Sequence, residues 1–464
     1  MTTGKEQAGI DHSRDDDAYA LDRNTVAAIL YAVDVDDRDR LAELMEPLHA
    51  ADIADLLEQI NPYDRARLIR LYDREFDGEI LSELEEGVRE EVIRVLRPDV
   101  LADAVRDLES DDVVDLLEDL EEPDQETILG ALEDAERVAA QQALSYPENS
   151  AGRLMQREVV MAPEHWTVGQ AIDHLRASED LPEDFYHIIL VDPRLRPVGY
   201  VTLGKLMGTK REVPLKDIAE EEFQTIPIDQ DEEDVAYAFK QYHLISAPVV
   251  DQDGRLVGVI TIDDAMAVLD EEHEEDMLRM AGVDEDSSLS DTIAETARGR
   301  ATWLLVNLFT AILASFVIDF FADTIDQMVA LAVLMPIVAS MGGNAGTQTM
   351  TVTVRAIATR DLTANNALRV LVREISVGAL NGVLFGLLMA LVAGIWFGVP
   401  MLSAVIGVAM VLTLVAAALG GILIPMALDK FNIDPALASG PFVTTVTDVV
   451  GFFVFLGLAG MVLL

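Results

Sequence analysis

Residues 301–464 contain five apolar runs, at 303–323, 328–354, 375–397, 404–428 and 440–464. A bilayer's hydrocarbon core takes about 20 residues of helix, so each run is long enough to cross it. A buried soluble core is the alternative, but five such runs in so short a stretch argue against it. Charge divides the chain at the same place. Of 83 Asp and Glu residues, eight lie beyond residue 300, and so do five of the 33 Lys and Arg, giving a net −47 in front and −3 behind. The two parts belong in different solvents.

The basic residues set an orientation. Arg298 and Arg300 precede the first run, Arg355, Arg360, Arg369 and Arg373 surround the second connection, and Lys430 lies in the fourth. The first and third connections carry neither Lys nor Arg, so the positive-inside rule places the N-terminus in the cytoplasm and Leu464 outside. The polar first 18 residues have no apolar signal core, and the front half is expected to stay in the cytoplasm.

Asp448 is the most informative residue. It lies well inside the last run, with Thr444 and Thr445 one helical turn before it and Gly451 one turn after. A carboxylate at membrane depth costs about 2.5–3.5 kcal/mol on insertion scales and marks a pathway or a polar partner. The other reading is a protonated Asp bonded to a neighbouring helix. The second run carries Pro336 and MGGNAGTQ at 341–348. Pro and closely spaced Gly weaken a helix and expose carbonyls, which suits either a water-filled cavity or close packing through small residues. Mg2+ sheds water reluctantly and is usually held by one or two carboxylates with several waters kept. One Asp with carbonyls and hydroxyls meets that need, and a two-fold dimer would double the carboxylate on its axis.

The acidic front cannot be a nucleic-acid surface, which needs clustered cations. Its acid is either a solubility device, as in high-salt adaptation, or a set of sites for a bridging multivalent cation; both readings stand. Without Cys there are no disulfides or thiolate metal sites. Residues 1–20 read as a disordered tail. Residues 21–147 show helical periodicity, and ADIADLLE (51–58) recurs as DDVVDLLE (111–118), with Pro62 and Pro123 after the copies; this predicts stacked helix pairs in a small superhelix.

Two α/β units follow YPENSAG (146–152), over 148–211 and 212–270. The second runs FQTIPI (223–228), an acidic helix start at 231–234, APVV (247–250) and LVGVITI (256–262). The first parallels it with VVM (159–161), a helix over 168–177, strand 186–191 and VGYVT (198–202). These units resemble paired cystathionine-β-synthase (CBS) domains, which often bind adenine nucleotides and hold ribose with a Thr/Ser-x-x-Asp turn. Thr261 and Asp264 supply that turn in the second unit, making it the candidate nucleotide site with ATP as a regulator; the first unit has Lys205 where Asp is expected. The run LDEEHEEDM (269–277) then places Glu272, Glu275 and Asp276 at i, i+3 and i+4 of a helix. Like charges repel at that spacing, so the helix wants a cation or basic partner unless it is a solvated acidic face. A linking helix over 271–298 would lead into the membrane domain, 299–464.

The order of these parts, with MGGNAGTQ (341–348) and TTVTD (444–448), resembles the MgtE family of Mg2+ transporters from about residue 21 onward. The resemblance implies a multidomain homodimer: an α-helical superhelical N domain, an α/β tandem CBS pair and an all-α membrane domain of five helices. It implies a pore between the second and fifth spans, with Asp448 as the carboxylate for hydrated Mg2+ and Gly343, Gly346 and Thr444 beside it. Asp434 would lie at the cytoplasmic mouth. Glu233, Asp264, Glu272, Glu275 and Asp276 would bind regulatory Mg2+, while His243 stands where an acidic residue is expected. The expected function is a Mg2+-selective channel or transporter of the plasma membrane, closed by cytoplasmic Mg2+. The alternatives are another divalent cation, such as Co2+, Mn2+ or Ni2+, or a membrane-anchored CBS sensor. No P-loop, HExxH or nucleophile elbow suggests an enzyme.

Overall fold

The computed structural model describes residues 21–463 except 119, 121, 179, 180, 183, 184, 221, 222, 285, 286 and 288–291. The tail expected over 1–20 lies outside the described residues. The chain forms two compact units, Met1–Leu269 and Asp270–Leu464.

The first unit opens with ten short helices, from Arg23–Asp34 to Asp134–Ala143. The internal repeat falls on two of them, Ala50–Gln59 and Ser110–Glu118. After the first copy, Asn61 caps Pro62–Tyr72 by accepting from the Tyr63 and Asp64 amides, while Pro62 fills the first position, where no amide is needed. The repeat extends to its buried polar groups. Arg65 donates to the Leu57 and Ile60 carbonyls, at 2.7 and 3.2 Å, and sixty residues on Gln125 donates to those of Leu117 and Leu120, at 2.8 and 2.9 Å. Each polar head satisfies the carbonyls left open where the preceding helix ends. Leu56, Leu57, Leu68, Leu81, Val92 and Leu116 form the centre of one continuous core.

The CBS pair repeats one topology. Strands β1 (Met161–Pro163), β2 (His187–Val191) and β3 (Pro197–Thr202) form the first sheet, and β4 (Ile226–Pro227), β5 (Ser246–Val250) and β6 (Leu256–Thr261) the second. In each, the outer two pairings are parallel then antiparallel, with a bulge at the same place, Leu190/Val191 and Val249/Val250. The intervening hairpins match as well: Asp192 accepts from the Arg194 and Arg196 amides, and Asp251 from those of Asp253 and Arg255. The units meet where β2 and β5 begin, at a 2.5 Å contact between His187 Nδ1 and Ser246 Oγ.

The helix after β6 runs unbroken over Ile262–Ala281. It thus starts inside the second CBS unit and ends at Ala281, within the linking segment 271–298. Gly282, at φ +72°, ends it with a left-handed turn, and a Thr292/Glu295 capping box starts the next helix at Ile293.

Five helices of the second unit are long and apolar enough to cross a membrane: Ile293–Phe320 (span 1), Ala330–Ala358 (span 2), Ala367–Phe397 (span 3), Pro400–Lys430 (span 4) and Gly440–Val462 (span 5), the last belonging to the helix Pro435–Val462. The shortest has 23 residues, about 35 Å at 1.5 Å per residue, against a core of about 30 Å. Span 2 continues through Pro336 and its glycines without a break, so the expected weakening does not interrupt the helix. Spans 3 and 4 pack backbone to backbone: a Cβ at Gly386 would stand 2.6 Å from the Gly407 carbonyl oxygen, and one at Gly378 2.9 Å from that of Leu414. Such approach is how membrane helices gain contact when lipid offers no hydrophobic contrast.

Candidate cation path and acidic sensor sites

Span 2 lies in a seam against spans 4 and 5. A Cβ at Gly342 would meet Thr413 Cγ2 at 2.8 Å and Thr447 Cβ at 3.5 Å; one at Gly346 would meet Val443 Cγ1 at 2.7 Å and Thr447 Cγ2 at 3.1 Å. As span 2 advances from 342 to 346, its partner in span 5 recedes from 447 towards 443, so these two helices run antiparallel. A step of one residue turns a helix by about 100°. In an antiparallel pair, the residue after each contact position therefore swings to the same side of the seam. Gly343 and Thr347 of span 2 thus share a side with Thr444 and Asp448 of span 5.

That side is open within the chain. Nothing lies within 4 Å of a Cβ built at Gly343, and Asn344, Thr347, Gln348 and Thr444 are exposed although they sit at membrane depth. Asp448 is half-exposed and takes no hydrogen bond or ion pair among the described residues. The Thr444 hydroxyl donates to the Gly440 carbonyl at 2.9 Å and that of Thr445 to Pro441 at 2.6 Å. With their protons so engaged, both oxygens offer lone pairs outward, as a cation or its water requires.

The structure therefore groups Gly343, Thr444 and Asp448. Gly346 is placed otherwise. It is buried in the seam, and its carbonyl faces span 4, where a Cβ at Gly421 would lie 2.7 Å away. This glycine serves close packing, and only the register of three helices distinguishes it from Gly343.

Asp434, expected at the mouth, caps the helix Pro435–Val462 through the Ala436 amide at 2.7 Å. Its other oxygen accepts from Arg279 at 2.8 Å, and Arg279 also pairs with Glu275 at 2.9 Å. The sequence reading missed Arg279, a single cation in an apolar helix end whose partner lies 155 residues away. Glu272, Glu275, Asp276 and Arg279 form a half-buried stripe, while Glu271, His273 and Glu274 are exposed. The predicted residues are thus on the packed face of their helix, not the solvated one. Burial, then the Asp434 charge, pushes Asp276 up to about 6.

A second acidic group lies wholly within the first unit. The N-terminal end of Ser110–Glu118 brings Glu109, Asp111 and Asp112 to Asp263 and Asp264, at the start of Ile262–Ala281. Gln156 hydrogen-bonds Glu109, Ser110 donates to Glu158 at 2.7 Å, and Arg89 pairs with neighbouring Asp115 at 3.0 Å. Burial and the neighbouring carboxylates push Glu109 and Asp112 up to about 7 and hold Asp111 well above its ordinary range; burial raises Asp264 to about 6. Of this group only Asp264 was singled out from the sequence. The copy DDVVDLLE carries the signal, because it has Asp111 where the first copy has Ala51, so two adjacent acids open the helix. Among the described residues, no three acidic or His side chains are close enough to hold a metal ion in this arrangement. Glu233 is exposed in the first turn of Glu232–Tyr242.

The sign of the pH effect follows. These carboxylates hold protons more tightly in the compact unit than in a separated chain, so the compact arrangement carries no penalty below the ordinary values of 3.8 and 4.5 and loses stability as pH rises to about 7. Without Mg2+, amide hydrogen exchange at 109–118 is expected to speed up, beyond its intrinsic pH dependence, between pH 5 and pH 8. Mg2+ should restore protection and release roughly one proton or more per ion, read by calorimetry in two buffers. Protection independent of both pH and Mg2+ would contradict the cluster's assignment.

Thr261 donates to Asp264 at 2.7 Å by its hydroxyl and at 3.2 Å by its amide, so the turn expected to hold ribose is satisfied internally. Thr261 edges a cleft with His187, Tyr186, Ser246 and Val259 that has about 20 Å³ of water-sized space, room for about one water.

A family model described as "Divalent cation transporter" matches residues 335–458, "MgtE intracellular N domain" matches 48–149, and "CBS domain" matches 151–211 and 215–271. The magnesium transporter MgtE of Thermus thermophilus is 34% identical over 330 residues, covering 70% of this chain and 73% of that protein. The magnesium transporter MgtE of Bacillus subtilis is 31% identical over 321 residues, covering 69% and 71%. Among solved structures, the soluble part of a magnesium transporter is 25% identical, with a TM-score of 0.47, over 54% of this chain and 98% of that one. The cytosolic domain of the Mg2+ channel MgtE in complex with ATP is 28% identical, with a TM-score of 0.49, over 52% and 99%. With an acidic helical domain, a CBS pair and five apolar helices in the family's order, the chain belongs to the MgtE family of magnesium transporters.

Proposed function

We propose that this chain is a Mg2+-selective, channel-like transporter of the plasma membrane, closed by cytoplasmic Mg2+. The observation that carries the reading is Asp448: a carboxylate with no protein partner among the described residues, beside Thr444 and Gly343 on the open side of an antiparallel helix seam. Exposed Thr347 lies on that side, and exposed Asn344 and Gln348 carry the polar surface further round span 2. Lipid would leave their amides and hydroxyls unsatisfied, whereas a second copy closing around a water-filled path would solvate them. The working form is therefore a homodimer, with two Asp448 carboxylates about one axis. Arg298, Arg300, Arg355, Arg360, Arg369 and Arg373 favour a cytoplasmic N-terminus.

Closure depends on the acid. Glu109, Asp111, Asp112 and Asp264 in one unit, and Glu272, Glu275 and Asp276 in the other, are half-buried or buried like charges. Cytoplasmic Mg2+ bridges them, and these bridges, which exist only in the compact arrangement, hold it closed; when Mg2+ falls the bridges are lost, repulsion separates the parts and the path opens. Exposed Glu233 joins such a bridge through an element that moves towards it. ATP acts as a regulator at Thr261 and Asp264, and its entry requires the CBS cleft to widen. The net charge of −50 gives no surface for nucleic acid, and the chain transports rather than catalyses.

Reconstitution into liposomes with an internal Mg2+ dye tests the reading. Mg2+ should enter down its gradient and outcompete Co2+, Mn2+ and Ni2+ at equal concentration. Preferred entry of another ion would overturn the selectivity, and no flux of any divalent ion would leave a membrane-anchored sensor.

A further inference from the structure

The last turn of Ile262–Ala281 is inserted among the cytoplasmic ends of three spans. Met280 packs against a cluster formed by Met350 and Val354 of span 2 and Ala436 and Val443 of the helix Pro435–Val462, which Ile424 of span 4 also covers. A Cβ at Gly440 would stand 3.5 Å from the Met280 carbonyl oxygen. Beside this plug, the guanidinium of Arg279 is largely buried, its side chain 21% exposed, and its two terminal nitrogens bridge Glu275 and Asp434. Both oxygens of Asp434 are thereby used, one by the Ala436 amide and the other by Arg279.

A divalent cation at the mouth needs the same carboxylate. It cannot approach Asp434 closely while a guanidinium stands 2.8 Å from the oxygen it would bind, because two cations would then share one anion. We propose that Arg279 is a tethered competitor for the transported cation: it takes the Asp434 carboxylate in the closed arrangement, and ions pass only when that pair breaks. The proposal deepens, and rests on, the gating by cytoplasmic Mg2+ described above. Arg suits the role because its planar fork reaches two carboxylates on different helices, which a Lys ammonium does less well. Withdrawal of the helix end does two things at once: it removes the plug and frees the carboxylate that attracts the next ion.

The test is open probability against cytoplasmic Mg2+ in excised patches. Arg279→Gln should raise the Mg2+ concentration for half-closure by about tenfold, within the usual range of coupling between sites, and Arg279→Lys should recover most of the shift. Half-closure of Arg279→Gln at the parent's Mg2+ concentration would overturn the proposal. A parent protein that does not close with Mg2+ would instead overturn the gating reading itself. A second measurement needs no conduction. The chain has no Cys, so a short bis-maleimide can report the M280C/G440C pair alone in the solubilised full chain. At fixed Mg2+, Arg279→Gln should lower its cross-linking and Arg279→Lys restore it; equal yields in all three would overturn the latch.

Discussion

Replacing Glu272, Glu275 and Asp276 together by Gln, Gln and Asn is expected to leave the current at millimolar Mg2+ at its low-Mg2+ level. The three side chains lie on the half-buried stripe of the helix Ile262–Ala281 and offer the oxygens through which Mg2+ bridges the closed form; Gln and Asn remove that attraction along with the i, i+3, i+4 repulsion. Cytoplasmic Mg2+ can bias the gate only through sites that favour the closed form. Moving a gate from almost always open to almost always closed takes about 10⁴-fold, or roughly 5.5 kcal/mol, in differential affinity. A single exposed carboxylate does not supply that, so single neutralisations should only shift the closing concentration and the triple change should remove closure. Excised-patch recording over a Mg2+ range reads this directly. Closure of the triple variant at the parent's Mg2+ concentration would refute this part of the mechanism.

Asp448→Asn is expected to reduce Mg2+ flux by at least about a hundredfold without altering the protein's assembly. The change keeps shape and removes one charge. A unit charge pair at 4 Å is worth about 4 kcal/mol at an effective dielectric of 20, and each 1.36 kcal/mol is a factor of ten. A doubly charged ion loses more than that even when it keeps its water and stands farther off. Asp448→Glu retains the charge but lengthens the arm and should keep part of the flux. Size-exclusion chromatography of both variants separates loss of the path from loss of the fold. Undiminished flux in Asp448→Asn would mean the ion travels elsewhere.

Much of this architecture was legible from residue patterns because length and period carry it. A 23-residue apolar run has few fates other than a membrane, and VGYVT and VGVIT (198–202, 257–261) mark the same edge strand twice. Asp448 stood out because ionised groups are so costly at its depth. What stayed hidden depended on register between distant segments. MGGNAGTQ (341–348) shows four small residues, but only the antiparallel seam separates open Gly343 from packed Gly346. Arg279 meets Asp434 across 155 residues of chain, a pairing without a local signature. Glu109, Asp111 and Asp112 become a group with Asp264 because segment 153–158 ties the helix Ser110–Glu118 to the CBS pair. The stop at Gly282 and the Thr292/Glu295 capping box were readable, and they mark the ends of the two helices more sharply than the acidic run does.

Thr444 stands one turn from Asp448, on the same side of the seam, in a chain without a native thiol. Labelling of Thr444→Cys in liposomes by a water-soluble cationic thiol reagent therefore tests most directly whether this side is wet and holds cations. Rapid labelling that Mg2+ slows is the expected result. Labelling no faster than at a lipid-facing control such as Leu384→Cys (60% exposed), with or without Mg2+, would contradict it.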